Sequence, residues 1–191
     1  MSYLSFFYST MNAGKTTQLL QHNHTFLKNK FNTILFIPDI AHKNGIIKSR
    51  IGLKKTAIKI TDNFNIFKYI KQIKKKINYI LIDEAQFLKK KHIFELISIV
   101  DILNISVLTY GLKTDFKSKL FEGSKYLLAL SDKLIEIKTL CLCGKKAIMN
   151  AKINTIGKKV LYGKQVDINK ENYIPVCRFH YYNLKKLHII N

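Results

Sequence analysis

Between an apolar, aromatic run at Leu4–Tyr8 and a helical pattern from about Lys15 to Lys28 stands Ser9-Thr10-Met11-Asn12-Ala13-Gly14-Lys15-Thr16. No other stretch restricts the fold as much. A buried strand, a tight turn and a helix in succession gather backbone amides and the positive end of a helix dipole around one point, which suits an anion. Gly14 allows the backbone to approach closely. Lys15 has the reach to meet the outer phosphates of a nucleoside triphosphate, and the Thr16 hydroxyl is placed for Mg²⁺. The strict form of such a loop begins with glycine, and that place is Ser9 here. Taken alone, the motif could be a glycine-containing turn with an exposed lysine; the strand before it and the helix after it favour nucleotide binding.

The chain downstream keeps alternating. Thr33–Ile37, Tyr79–Ile82, Ser106–Tyr110 and Leu134–Ile137 read as further strands. Phe64–Ile77, with Phe64, Phe67, Ile70, Ile73 and Ile77 on one stripe, and His92–Leu103 read as amphipathic helices, while Ala41–Lys59 reads as irregular and mobile. Such alternation implies an α/β fold: a parallel sheet with helices on both faces and its ligands at the carboxyl ends of the strands. After Lys138 come short strand-like pieces, Ala147–Asn154, Lys159–Tyr162 and Gln165–Ile168, bracketed by Cys141-Leu142-Cys143-Gly144 and Cys177-Arg178-Phe179-His180. The expected organisation is a nucleotide-binding domain over residues 1–139 and a small β-rich domain over 140–191, with no repeat or low-complexity linker.

Ile80-Leu81-Ile82-Asp83-Glu84 is an apolar strand ending in two carboxylates. Beside a phosphate loop, an Asp at this place holds Mg²⁺. Glu84 has two candidate roles, orienting a water for hydrolysis or taking a proton from an acceptor hydroxyl, and spacing does not choose between them. An acidic strand end without chemistry is the plainer alternative. Cys141-x-Cys143, 33 intervening residues and Cys177-x-x-His180 supply four ligands for tetrahedral Zn²⁺. With no open position the site reads as structural, tying together the ends of a segment with little core of its own. Buried thiols with an incidental histidine, or a catalytic cysteine, are the weaker readings. His22, His24, His42, His92 and His188 show no partner pattern. Phe87, Phe116, Phe121 and Tyr173 offer rings suited to a nucleobase, although each alone is more often core than pocket.

A formal charge of +21 invites a nucleic-acid reading. Of the 33 basic residues, however, only Arg50 and Arg178 are arginine. A phosphate-backbone surface is expected to use the bidentate arginine fork as well. The lysine excess, with abundant Ile and Asn, fits drift in an AT-rich genome, and Lys74–Lys76 and Lys89–Lys91 read as solvated helix faces. No run of 18 apolar residues occurs and Met1-Ser2-Tyr3-Leu4 lacks a basic leader, so a cytoplasmic, membrane-free protein is expected.

Together these residues resemble the zinc-containing thymidine kinase family, the type that includes bacterial and animal cytosolic enzymes. The likeness runs from Tyr8–Thr16 through Asp83-Glu84-Ala85-Gln86-Phe87, Tyr110-Gly111-Leu112-Lys113-Thr114-Asp115-Phe116 and Ser131-Asp132-Lys133-Leu134 to the metal ligands. The resemblance implies a RecA-like P-loop NTPase sheet plus a small zinc-bound, β-rich lasso domain. It implies that Ser9–Thr16, Asp83 and Gln86 bind ATP with Mg²⁺, and that Glu84 accepts the proton of the thymidine 5′-hydroxyl. It further implies that Phe87, Phe116, Phe121, Val166, Ile168 and Tyr173 wall the nucleoside pocket, and that Cys141, Cys143, Cys177 and His180 hold structural Zn²⁺. A homotetramer inhibited by thymidine triphosphate is implied as well. Two departures stand out: Asn169-Lys170-Glu171-Asn172 replaces the family's Gly-Gly pair, and only Leu142 separates the first two cysteines. The competing readings are a zinc-bearing ATPase acting on nucleic acid and a binding module without catalysis. Arg50, in the stretch after the second strand, is expected to approach the phosphates.

Overall fold

The apolar runs at Leu4–Tyr8, Thr33–Ile37, Tyr79–Ile82 and Ser106–Tyr110 become largely buried strands, and Leu134–Ile137 supplies a more exposed strand at the sheet edge. The computed structural model describes residues 1–41, 44–165 and 172–183. In chain order its elements are β1 (Leu4–Ser9), α1 (Lys15–Lys28), β2 (Thr33–Pro38), β3 (Ile46–Lys48), β4 (Lys54–Thr56), β5 (Ile58–Ile60), α2 (Ile66–Gln72), β6 (Tyr79–Ile82), a 3₁₀ turn at Ala85–Phe87, α3 (Lys90–Leu103), β7 (Ser106–Leu112), α4 (Glu122–Leu130), β8 (Lys133–Glu136), β9 (Met149–Ile153), β10 (Lys159–Val160), β11 (Asn172–Val176) and α5 (Arg178–Asn183). Six strands form one sheet in the order β5-β2-β6-β7-β1-β8, and every pairing in it is parallel.

Alternation along each strand divides the core in two. Leu4, Phe6, Phe36, Ile80, Ile82 and Val107 face Ile66 and Ile70 of α2, Ile93, Leu96 and Ile99 of α3 and Leu127 of α4. Phe7, Leu35, Ile37, Leu81, Leu108 and Tyr110 face Leu19 and Leu20 of α1. Helices therefore cover both faces, and parallel pairing brings the ends of β1, β6 and β7 to one edge. There stand the phosphate loop, Asp83-Glu84 and the segment from Gly111.

Four expectations are corrected. The stretch 41–59 is not irregular throughout: β3 and β4 form a hairpin, and β5 joins the edge of the main sheet beside β2. Burial of Ile47 and Ala57 against the α1 side of the core supplies the reason. Helix α2 is shorter than its stripe. It starts after Asn65, whose side chain caps the Lys68 amide at 2.6 Å, and stops at Gln72 with Ile73 extended. Three consecutive like charges, Lys74–Lys76, disfavour its continuation and lie exposed beyond it rather than on a helix face. Helix α4 was not expected, because Gly123 and Ser124 look like turn residues. It packs so closely that a Cβ on Gly123 would stand 2.5 Å from the Ala85 carbonyl oxygen. Tyr173, four residues before Cys177 and so expected on a loop that the metal pins, lies instead in a strand, opposite Lys152 in the antiparallel sheet β10-β9-β11.

That second sheet has its own small core of Cys141, Ala147, Ala151, Val176, Cys177 and Tyr181. The expected strand positions Val166 and Ile168, the segment Asn169–Glu171, and His42 and His188 lie outside the described residues. Among the described residues no helix is long and apolar enough to cross a membrane.

Candidate active site

The loop after β1 turns through left-handed backbone at Asn12 (φ 62°) and Gly14 (φ 81°) and opens α1 at Lys15. Asn is among the few residues other than glycine that tolerate this region. Lys15 is buried. Its Nζ donates to the Thr10 carbonyl at 2.8 Å and to Ser9 Oγ at 3.1 Å, so the serine in the glycine position helps hold the lysine. Burial pushes the Lys15 ammonium below its ordinary pKa, while Glu84 and Asp83 pull it back up. A cavity of about 280 Å³ lies over the loop, walled by Met11–Thr17, Arg50, Ile51, Glu84 and Leu112. The β3–β4 turn thus brings Arg50 to the phosphate loop.

Asp83 follows β6 and is buried, and Thr16 Oγ1 donates to its Oδ2 at 2.9 Å. Burial and then the charge of Glu84 raise the Asp83 carboxyl to about 7. A buried carboxylate held against a hydroxyl, short of countercharge, suits a divalent cation. Glu84 adopts left-handed backbone (φ 51°, ψ 36°), where its amide donates to Asp83 Oδ1 and its carbonyl accepts from Phe87. Gln86 Nε2 donates to Glu84 Oε2 at 2.5 Å, and Gln86 Oε1 accepts from the Leu112 amide at 3.0 Å. Gly111 makes room for this: a Cβ there would stand 2.8 Å from Gln86 Oε1. Gln86, expected with the ATP set, does not line the cavity over the loop; it braces Glu84.

A second cavity of about 200 Å³ adjoins the first. Phe87, Phe116, Phe121 and Tyr173 all line it, with Phe87 edge-on to Phe121 and Phe116 edge-on to Tyr173. Ile40, Gln86, Asp115, Asn150 and Gln165 complete much of the wall. Met11, Glu84 and Leu112 belong to both cavities. Asn150 and Asp115 were not singled out from the sequence. Asp115 shapes its own loop by accepting from the Lys117 and Lys119 amides, a turn signal in Thr114-Asp115-Phe116. Two larger grooves, of about 780 and 800 Å³, contain neither Lys15 nor Glu84.

Cys141, Cys143, Cys177 and His180 converge, with all four ligand atoms within 4.8 Å of one another. Cys143 Sγ lies 3.8 Å from Cys177 Sγ, and His180 Nδ1 lies 3.2 Å from Cys141 Sγ and 3.5 Å from Cys177 Sγ. Two thiolates on one tetrahedral zinc stand about 3.8 Å apart, so the cluster fits Zn²⁺ even with a single residue between the first two cysteines. Burial works against ionising Cys141, but the Cys143 and Cys177 amides and His180 outweigh it and bring the thiol down to about 6. His22 and His92 are structural. The former meets the Tyr110 hydroxyl at 2.5 Å, and the latter accepts the Lys89 amide at 3.2 Å.

A family model described as thymidine kinase matches residues 2–181. The chain belongs to the thymidine kinase family. A thymidine kinase of Zymomonas mobilis is 47% identical over 186 residues, covering 95% of this chain and 96% of its own. One of Lactiplantibacillus plantarum is 47% identical over 191 residues, covering 98% and 99%. One of Haemophilus influenzae is 44% identical over 186 residues, covering 95% and 96%. The resemblance read from the motifs is therefore borne out at the level of family. Membership makes the chain an ATP-using kinase.

Proposed function

We propose that this chain transfers the γ-phosphate of ATP to the 5′-hydroxyl of thymidine, and of deoxyuridine, giving the nucleoside monophosphate and ADP for DNA-precursor salvage. The observation that carries the reading is Glu84 in the wall shared by the two cavities. The loop Ser9–Thr16 binds the triphosphate in one, and the nucleoside lies among Phe87, Phe116, Phe121 and Tyr173 in the other, with Val166 and Ile168 assigned as further nucleoside-binding residues. Glu84 stands between them and accepts the hydroxyl proton as the oxygen attacks. Gln86 holds that carboxylate in place.

Phosphoryl transfer needs alignment and charge neutralisation more than covalent chemistry. The Lys15 ammonium and the loop amides supply charge at the phosphates. Thr16 and Asp83 would hold Mg²⁺, which when bound neutralises the β- and γ-phosphate oxygens. Aromatic walls exclude water, which favours the alcohol as acceptor. The four-ligand cluster holds structural Zn²⁺ and pins the strand carrying Tyr173. We place the division between the kinase sheet and the zinc-bound lasso at residues 139 and 140, and assign a cytoplasmic homotetramer without nucleic-acid or membrane partners.

Transfer of label from γ-labelled ATP to a panel of deoxynucleosides tests the reading. ADP release that requires thymidine is expected. Release without nucleoside, stimulated by DNA, would favour the ATPase reading and overturn this one.

A further inference from the structure

Asn150 belongs to β9, in the sheet anchored by the metal cluster, yet its side chain is turned to the other half of the molecule and is only 2% exposed. Its Oδ1 accepts the Met11 amide at 2.7 Å, and its Nδ2 donates to the Thr114 carbonyl at 3.0 Å. Met11 follows the end of β1 and Thr114 follows the end of β7, two neighbouring strands paired up to Ser9 and Leu112. One carboxamide therefore joins the two loops that leave the centre of the sheet. Among the described residues, no other side chain accepts a hydrogen bond from an amide of Ser9–Thr16. The Met11 amide is directed at Asn150, so the amides left to face phosphate begin at Asn12. Met11 is also one of the three residues that wall both cavities, beside Glu84.

We infer that Asn150 is a positioning residue: through Met11 and Thr114 its carboxamide sets the spacing between the triphosphate and nucleoside cavities across Glu84. The inference rests on the phosphoryl-transfer reading above and adds to it a residue outside the phosphate loop and the carboxylate pair. It also makes the geometry of transfer depend on β9 being in place. Without the carboxamide the half-buried Met11 amide loses the partner that fixes its direction, and the start of the loop is free to move with it. The triphosphate cavity keeps its whole lining, and the nucleoside cavity loses one polar group of its wall, Asn150 itself. What is lost is alignment, an interaction expressed in turnover rather than in affinity.

The test compares Asn150→Ala and Asn150→Thr with the wild-type protein in kcat, in KM for ATP and for thymidine, and in thermal midpoint. A shift approaching 1 Å predicts that kcat of Asn150→Ala falls about ten- to a hundredfold while KM for ATP stays within about threefold. Threonine keeps one hydroxyl, which serves Met11 or Thr114 but not both, so its kcat should lie about three- to tenfold below wild type. Wild-type kcat in Asn150→Ala, or in Asn150→Thr should the alanine variant not fold, overturns the inference. So does a loss confined to KM or one that tracks the fraction unfolded. A wild-type protein that transfers no phosphate to thymidine overturns the transfer reading, and this inference with it; active wild type beside an equally active Asn150→Ala overturns the inference alone.

Discussion

The two sheets of this molecule are held by different physics. The six-stranded sheet buries Phe, Ile and Leu side chains on both faces, against α1 on one side and α2, α3 and α4 on the other. The apolar cluster beside the three-stranded sheet has six buried residues, of which two are alanines and two are Cys141 and Cys177 of the four-ligand cluster. Large apolar side chains stabilise the first by roughly 1.5–3 kcal/mol each. The second has too little apolar volume to do the same and relies on four ligands drawn together. On the proposed reading, the half that carries the phosphate loop keeps its shape without a metal, whereas the half that carries Tyr173 and Asn150 would depend on an ion held by the four-ligand cluster.

Removing the metal is the strongest way to test this contrast, since a structural zinc contributes on the order of 10 kcal/mol to the segment it folds. Chelation, or Cys177→Ser, should abolish thymidine binding and loosen the residues around β9 and β11, while a nonhydrolysable ATP analogue still binds. Calorimetry with each ligand checks it, and equal loss of both would erase the distinction. Next in size is Glu84→Gln, expected to lower kcat by about a hundred- to ten-thousandfold with ATP affinity nearly unchanged. Turnover close to wild type would mean the shared wall holds no proton acceptor. Leu96→Ala opens a cavity in the larger core and should cost about 2–5 kcal/mol in denaturant melts, with or without metal. A cost that appears only in the metal-loaded protein would join the two halves energetically.

Asp83→Asn gives the smallest effect on stability, and its sign is a stabilisation. Burial and Glu84 raise the folded carboxyl from 3.8 to about 7. Between those values the folded protein keeps a proton that the unfolded chain has released, so this group's contribution falls as pH rises from about 4 to 7 and stays low above. Asparagine removes the penalty. Without Mg²⁺, the variant should be about 1–3 kcal/mol more stable at pH 8, with the gain vanishing near pH 4 and turnover lost throughout. Thermal melts at the two pH values decide it, and a variant less stable at pH 8 would show the carboxylate to be favourable there.

How far the sequence could be read depended on where each residue's partners lie. β1, α1, β6 and β7 are legible because apolar runs of strand length flank a loop whose amides and glycine specify the turn. The metal cluster is legible because cysteine and histidine have few other uses in such a pattern. The β3–β4 hairpin was not, since only Ile47 marks it as buried and the core it enters is assembled from distant segments. Gly123 looks like a turn residue and serves instead to bring α4 against the turn that carries Gln86. Arg50 was expected near the phosphates from a stretch read as irregular, and the hairpin accounts for its place at the phosphate loop. Asn150 gave no signal, because the Met11 amide it meets is 139 residues away.

A single ligand tests the central claim most directly: thymidine joined through its 5′-oxygen to adenosine by a polyphosphate chain. If one cleft holds both substrates with Glu84 between them, this molecule should bind once per chain and displace the ATP analogue and thymidine together. Displacement of only one of them, with the other still bound beside it, would show that the two cavities do not meet at Glu84.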